Sequence, residues 1–122
     1  MDPVQTVGGK MELVGYKLFE EKRGGPCTLV HGMPFNGKRS RMLPLGQWVE
    51  YEEGTPGFNF FESYEYLRAY LPKFKVRAPR LRICQVGVRD ILRNPRSNYT
   101  LAEQMIILPS YWDNRIIGSS LL

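Results

Sequence analysis

A chain of 122 residues is long enough to bury one hydrophobic core and too short for two. Its composition, 43% hydrophobic and 24% charged, is that of an ordinary globular domain, and no apolar run approaches the roughly 20 residues that cross a bilayer as a helix. The net charge of +5 is unevenly spread: nine Lys and Arg between 68 and 96 face the single Asp90, whereas Glu50, Glu52, Glu53, Glu62 and Glu65 crowd the stretch before. Such asymmetry either steers an anionic partner or marks two solvated faces of one sheet that attract each other.

Residues 1–11 read as a flexible leader containing Gly8 and Gly9, with Met11 as a second conceivable start. The leader has neither a basic n-region nor an apolar h-region, so no secretory signal is expected and a cytoplasmic setting is. From 13 to 19, Val14, Tyr16 and Leu18 alternate with Gly15 and Lys17, which predicts a first strand with the apolar set on one face. Lys22 to Pro26 is turn chemistry, because glycine reaches positive φ and proline fixes the exit. A second strand over 27–31 comes next as its hairpin partner.

Residues 32–44 form a predicted loop carrying Lys38, Arg39 and Arg41. A third strand is expected over 45–51, with Leu45, Val49 and Tyr51 on one side and Trp48 on the other. The clearest unit lies beyond it. Phe58, Phe60 and Phe61 suit a strand, Ser63 offers a hydroxyl to the first N–H groups of a helix, and Tyr64, Leu67 and Leu71 give that helix one buried stripe before Pro72 stops it.

Pro72 and Pro79 bracket a basic linker. In the strand predicted over 81–88, Leu81 and Ile83 lie on one face and Cys84, Val86 and Val88 on the other, so it is expected to be central and buried, with Gly87 marking a bulge. Residues 94–98 are a loop. The segment 101–108 is ambiguous: Thr100 and Glu103 have capping-box spacing, yet Met105, Ile106, Ile107 and Leu108 before Pro109 favour a strand. After Trp112 a polar tail is expected, fraying unless a partner holds it. The sum is a single α+β domain over 12–112: a mostly antiparallel sheet of about five or six strands with one or two short helices.

The segments Gly15-Tyr16-Lys17-Leu18-Phe19, Leu43-Pro44-Leu45-Gly46-Gln47-Trp48-Val49, Gly57-Phe58 and Ala102-Glu103-Gln104-Met105-Ile106-Ile107-Leu108 together resemble, in their order, a loose group of small uncharacterised α+β proteins encoded by bacteriophages and prophages. The motifs are short and structural, and the basic loop 36–41 and the Arg-rich region 73–96 depart from the group's pattern. The resemblance implies a phage accessory role and transfers no active-site residue.

The residues that bear chemistry each have a plain structural explanation. Gly32 to Arg39 fits the first part of a P-loop, but Arg39 stands where the Mg²⁺-binding hydroxyl belongs and Pro44 limits any helix after it. His31 is the only histidine, and it lies four residues from Cys27, about 13 Å along a strand, too far to activate the thiol. Cys27 and Cys84 match no metal-ligand spacing and read as two reduced, buried side chains, with a disulfide as the alternative. Glu52 and Glu53 point to opposite faces, while Glu62 and Glu65 flank a helix N-terminus that favours negative charge. No catalytic residue, metal or cofactor is expected, and the chain is read as a non-enzyme. The remaining function is binding. Lys38, Arg39 and Arg41 in the loop, with Lys73, Phe74, Lys75, Arg77 and Arg80 in the linker, combine cations with an aromatic placed to stack, the pattern that holds a nucleic acid or nucleotide-like ligand. The alternative is a protein–protein module, a virion component or an inhibitor of a host protein, whose charges meet an acidic protein surface. No membrane partner is expected.

Overall fold

The structure is a computed structural model that describes residues 11–30, 33–34, 41–51, 57–71, 80–92 and 100–117. In chain order the elements are β1 (Leu13–Lys22), β2 (Gly25–Val30), β3 (Met33–Pro34), β4 (Trp48–Glu50), β5 (Phe58–Phe60), α1 (Tyr64–Tyr70), β6 (Leu81–Leu92), β7 (Thr100–Ile106), α2 (Pro109–Asp113) and β8 (Ile116–Ile117). The strands hydrogen-bond in the order β3-β2-β1-β6-β7-β4, with β5 also on β7 and β8 also on β6, and each of these pairings is antiparallel. The expected antiparallel sheet is present. With eight strand segments against two short helices among the described residues, it dominates the fold more than the α+β reading implies.

Local chemistry explains the first hairpin. Lys22 pairs with Gly25, leaving a two-residue turn in which Arg23 and Gly24 both take positive φ, 53° and 79°. That is the turn whose twist matches the flanking strands. Strand β6 then pairs with β1 over its first half and β7 over its second, and it is apolar on both sides. Leu81 and Ile83 join Leu18, Phe61, Leu67 and Leu71 in one buried cluster. Cys84, Val86 and Val88 join Phe19, Phe58, Phe60, Ala102, Met105 and Trp112 in the other.

The sheet curls because the β5 segment touches both β7 and β1. Tyr16 and Phe61 exchange backbone hydrogen bonds of 2.8 and 2.7 Å. Phe60 and Phe61, adjacent in sequence, therefore serve opposite clusters: Phe60 fills the inside of the curl and Phe61 packs under α1. Gly15 makes the close approach possible, since a Cβ there would lie 2.5 Å from Phe60 Cδ2 and 2.8 Å from the Phe61 carbonyl oxygen. Ser63 caps α1 as expected, its hydroxyl accepting from Tyr66 N–H at 3.1 Å, and Leu67 and Leu71 are buried beneath it.

Several expectations change. The third strand shrinks to Trp48–Glu50, because residues 45–47 bend to let Gly46 N–H reach the Ile107 carbonyl at 2.8 Å. Gly87 is not a bulge: it pairs in register with Val14 on one side and Ile106 on the other, and the positive φ falls at Asp90, 58°, whose N–H turns to Glu12 Oε1 at 2.7 Å. The ambiguous segment is a strand, β7, ending at Ile106. The segment does stop before Pro109, which is itself the first residue of α2, where its missing N–H has no partner to lose. Residues 113–117, expected to begin a tail, carry Arg115 and β8. Among the described residues no helix is long and apolar enough to cross a membrane.

Candidate functional site

Of the eight residues expected to hold an anion, Arg41 and Arg80 are described; Lys38, Arg39, Lys73, Phe74, Lys75 and Arg77 lie outside the described residues, as do His31, all of the P-loop-like segment Gly32 to Arg39 except Met33 and Pro34, and Glu52 and Glu53. Arg41 is held at the edge of the sheet. Its carbonyl accepts from Thr28 N–H at 3.0 Å, its guanidinium donates to the Glu50 carbonyl, and it lies 5.8 Å from the centre of the Phe58 ring. Arg80 is exposed, and its carbonyl accepts from Glu21 N–H at 2.8 Å. The two do not meet. Arg41, Thr28, Phe19 and Arg82 succeed one another across neighbouring strands, so about three strand spacings, roughly 14 Å along the sheet, separate Arg41 from Arg82, two residues after Arg80. Arg41, beside β2, and Arg80, beside β1, thus lie on opposite sides of the β1–β2 hairpin.

Two further arginines are already engaged. Arg82 Nε lies 3.0 Å from Glu21 Oε1, and Arg115 Nε reaches the same oxygen at 2.6 Å while its guanidinium lies 4.5 Å from the centre of the Trp112 ring. Trp112 in turn donates its indole N–H to the Gly24 carbonyl at 2.8 Å. The hydrogen bond and charge of Arg115, then those of Arg82, hold the Glu21 carboxyl below its usual range. This cluster closes one end of the core.

Arg89 is arranged differently. It lies 4.1 Å from the centre of the Trp48 ring, and its Nε donates to Gln104 Oε1. Glu50, Gln104 and Arg89 are consecutive cross-strand neighbours, so their side chains share a face, and on the next row so do Trp48, Ile106 and Gly87. This is the outer face, the same side as Leu81 and Ile83, but beyond the part that α1 covers. It presents an arginine on an aromatic ring, an amide and one buried indole N–H that has no hydrogen-bond partner among the described residues. Guanidinium, aromatic and amide are the side chains that stack on and hydrogen-bond to flat anionic ligands.

Sequence reasoning misses Lys17. Alternation along β1 places it away from the core, yet it is buried at 4% exposure, on the same side of β1 as Phe19. Its amine donates to the Asn59 carbonyl at 2.7 Å and to the Asn59 side-chain oxygen, and it lies 5.8 Å from the Phe19 ring centre. Burial pulls its pKa from 10.5 to about 7. A signal for this exists in the chain: if β6 is buried on both faces, its neighbour β1 must be covered on both as well.

Cys27 and Cys84 are free and buried. Cys27 pairs with Glu20 and Cys84 with Lys17, positions of opposite parity on β1, so the thiols face opposite sides of the sheet. Burial pushes Cys84 up to about 12 and Cys27 upward as well, which keeps both protonated at neutral pH. Among the described residues no group of His, Cys, Asp and Glu is placed to hold a metal ion.

Fold and site together define a small curled antiparallel-sheet domain with an arginine–tryptophan platform on its outer face. Compared with known protein families, curated proteins and solved structures, the chain matches none.

Proposed function

We propose that this chain is a non-enzymatic binding module that holds an anionic partner, a nucleic acid or a nucleotide-like ligand. The observation that carries the reading is Arg89 lying 4.1 Å over Trp48 on the part of the outer face that α1 leaves uncovered. Aromatic rings stack on bases whatever their identity, and cations neutralise the phosphates between them. Arg41 at the sheet edge and exposed Arg80 are the described members of the two basic segments, and both segments add charge of the right sign.

The test is affinity for short DNA and RNA at low salt, in the wild type and in three variants. Reversing Lys38, Arg39 and Arg41 to Glu, or Lys73, Lys75 and Arg77 to Glu, should abolish binding, whereas Lys10→Glu should change it little. Binding that survives both reversals contradicts the role of these segments.

A protein partner is the second reading, and β8 favours it. Ile116 and Ile117 are 38% and 51% exposed on a short strand at the side of β6, the kind of apolar surface that a protein covers. Its mark is a complex that survives both nuclease treatment and high salt.

A further inference from the structure

Trp48, Ile106, Gly87 and Val14 form one row across β4, β7, β6 and β1 on the outer face. Gly87 leaves a gap in that row. A Cβ there would lie 2.2 Å from Met11 Cε, 3.0 Å from Met11 Sδ and 2.9 Å from Ile106 Cγ2, so the Met11 thioether occupies the space that a side chain would take. Gly87 is regular in its pairing, which leaves this close approach as the evident need for glycine. At the end of the same row Trp48 keeps its indole N–H buried without a partner among the described residues, a state that costs free energy unless an acceptor arrives.

We propose that this glycine-floored strip is a subsite for one nucleobase, with Met11 as its displaceable cover and Trp48 Nε1 as the donor to a ring nitrogen or carbonyl of the base. The inference rests on the binding function proposed above. Gly87 lies two strand spacings from Trp48, roughly 10 Å, with the fully buried Ile106 between them, so a flat ring would lie over Ile106 once Met11 has moved aside. The strip is lined by apolar and neutral groups, and the row beyond it carries both signs, Glu50 as well as Arg89, which suits a neutral ring better than a phosphate. Methionine is unbranched and flexible, so its side chain leaves such a place at small cost. Arg89 then lies beside the base, where its guanidinium continues the stack over Trp48.

The experiment compares a short single-stranded oligonucleotide with an abasic one of the same length, which has the phosphates and lacks the bases. The wild type should prefer the base-bearing strand. Trp48→Phe, which keeps a ring under Arg89 and loses the N–H, should reduce that preference about tenfold. Met11→Ala should increase the preference, and Gly87→Ala, which fills the floor, should lower it. Should Gly87→Ala fail to fold, Met11→Ala and Trp48→Phe still decide the matter. Equal binding of both strands by the wild type, or a preference that Trp48→Phe and Met11→Ala leave unchanged, overturns the subsite and leaves the phosphate-binding reading standing. Absence of binding to either strand overturns both.

Discussion

Lys17 donates to two oxygens of one residue, Asn59: the backbone carbonyl at 2.7 Å and the side-chain amide. The relationship sits where the sheet closes on itself. Between the β5 segment and β1 the backbone contributes the bridge of Tyr16 with Phe61, and the Lys17 amine supplies the donor that the Asn59 carbonyl would otherwise have taken from a longer ladder. A buried ammonium is costly, and burial lowers the Lys17 pKa to about 7.

That shift sets the sign of a pH effect. Between about 7, the folded value, and 10.5, the ordinary one, the unfolded chain binds more protons than the folded one, so raising pH stabilises the fold. Above its ordinary value of 9.0 the Cys84 thiol, pushed to about 12 in the fold, works in the opposite direction. Urea denaturation should therefore show stability rising from about pH 7 to about pH 9. Lys17→Met should remove most of the rise; an unchanged slope in that variant would place its origin elsewhere.

Phe60 and Leu67 are fully buried in different clusters, one inside the curl and one between the sheet and α1. Replacing either by Ala should cost about 2–5 kcal/mol, and because they share no cluster the losses should add. A melting temperature unchanged in both variants would contradict the packing described.

Gly15→Ala should destabilise by about 1–3 kcal/mol, because one of the atoms its Cβ meets is the Phe61 carbonyl oxygen, part of the bridge to Tyr16 and unable to rotate away. Denaturation of the variant checks this. A neutral substitution would mean that the β5 segment does not close against β1.

The features legible in the sequence are local or two-sided. The Ser63 cap, the Leu67 and Leu71 stripe and the turn after Lys22 depend on neighbours in the chain, and the apolar residues on both faces of β6 announce a central strand. Lys17 is misplaced by alternation alone, which assumes one face in and one face out, although a strand beside β6 in a curled sheet has no outward face there. Pro109 marks the end of the preceding segment correctly, but the helix it opens is not legible, because proline ends and starts helices alike and only the turning of Ser110 to Asp113 after it decides. The platform of Trp48, Arg89 and Gln104 is not legible at all: it joins β4, β6 and β7, and no spacing within the chain encodes that register. Of the expected anion-binding residues, Arg41 and Arg80 prove to be well separated along the sheet, a distance that charge counting cannot supply.

The central claim, that this fold binds a polyanion, is tested most directly by titrating a short single-stranded oligonucleotide across a series of salt concentrations. The logarithm of affinity should fall linearly with the logarithm of salt, by about 0.7 for each phosphate contacted, and the slope should flatten when Arg41 or Arg80 is replaced by Gln. Absence of measurable binding at the lowest salt, where the attraction is strongest, would contradict the account.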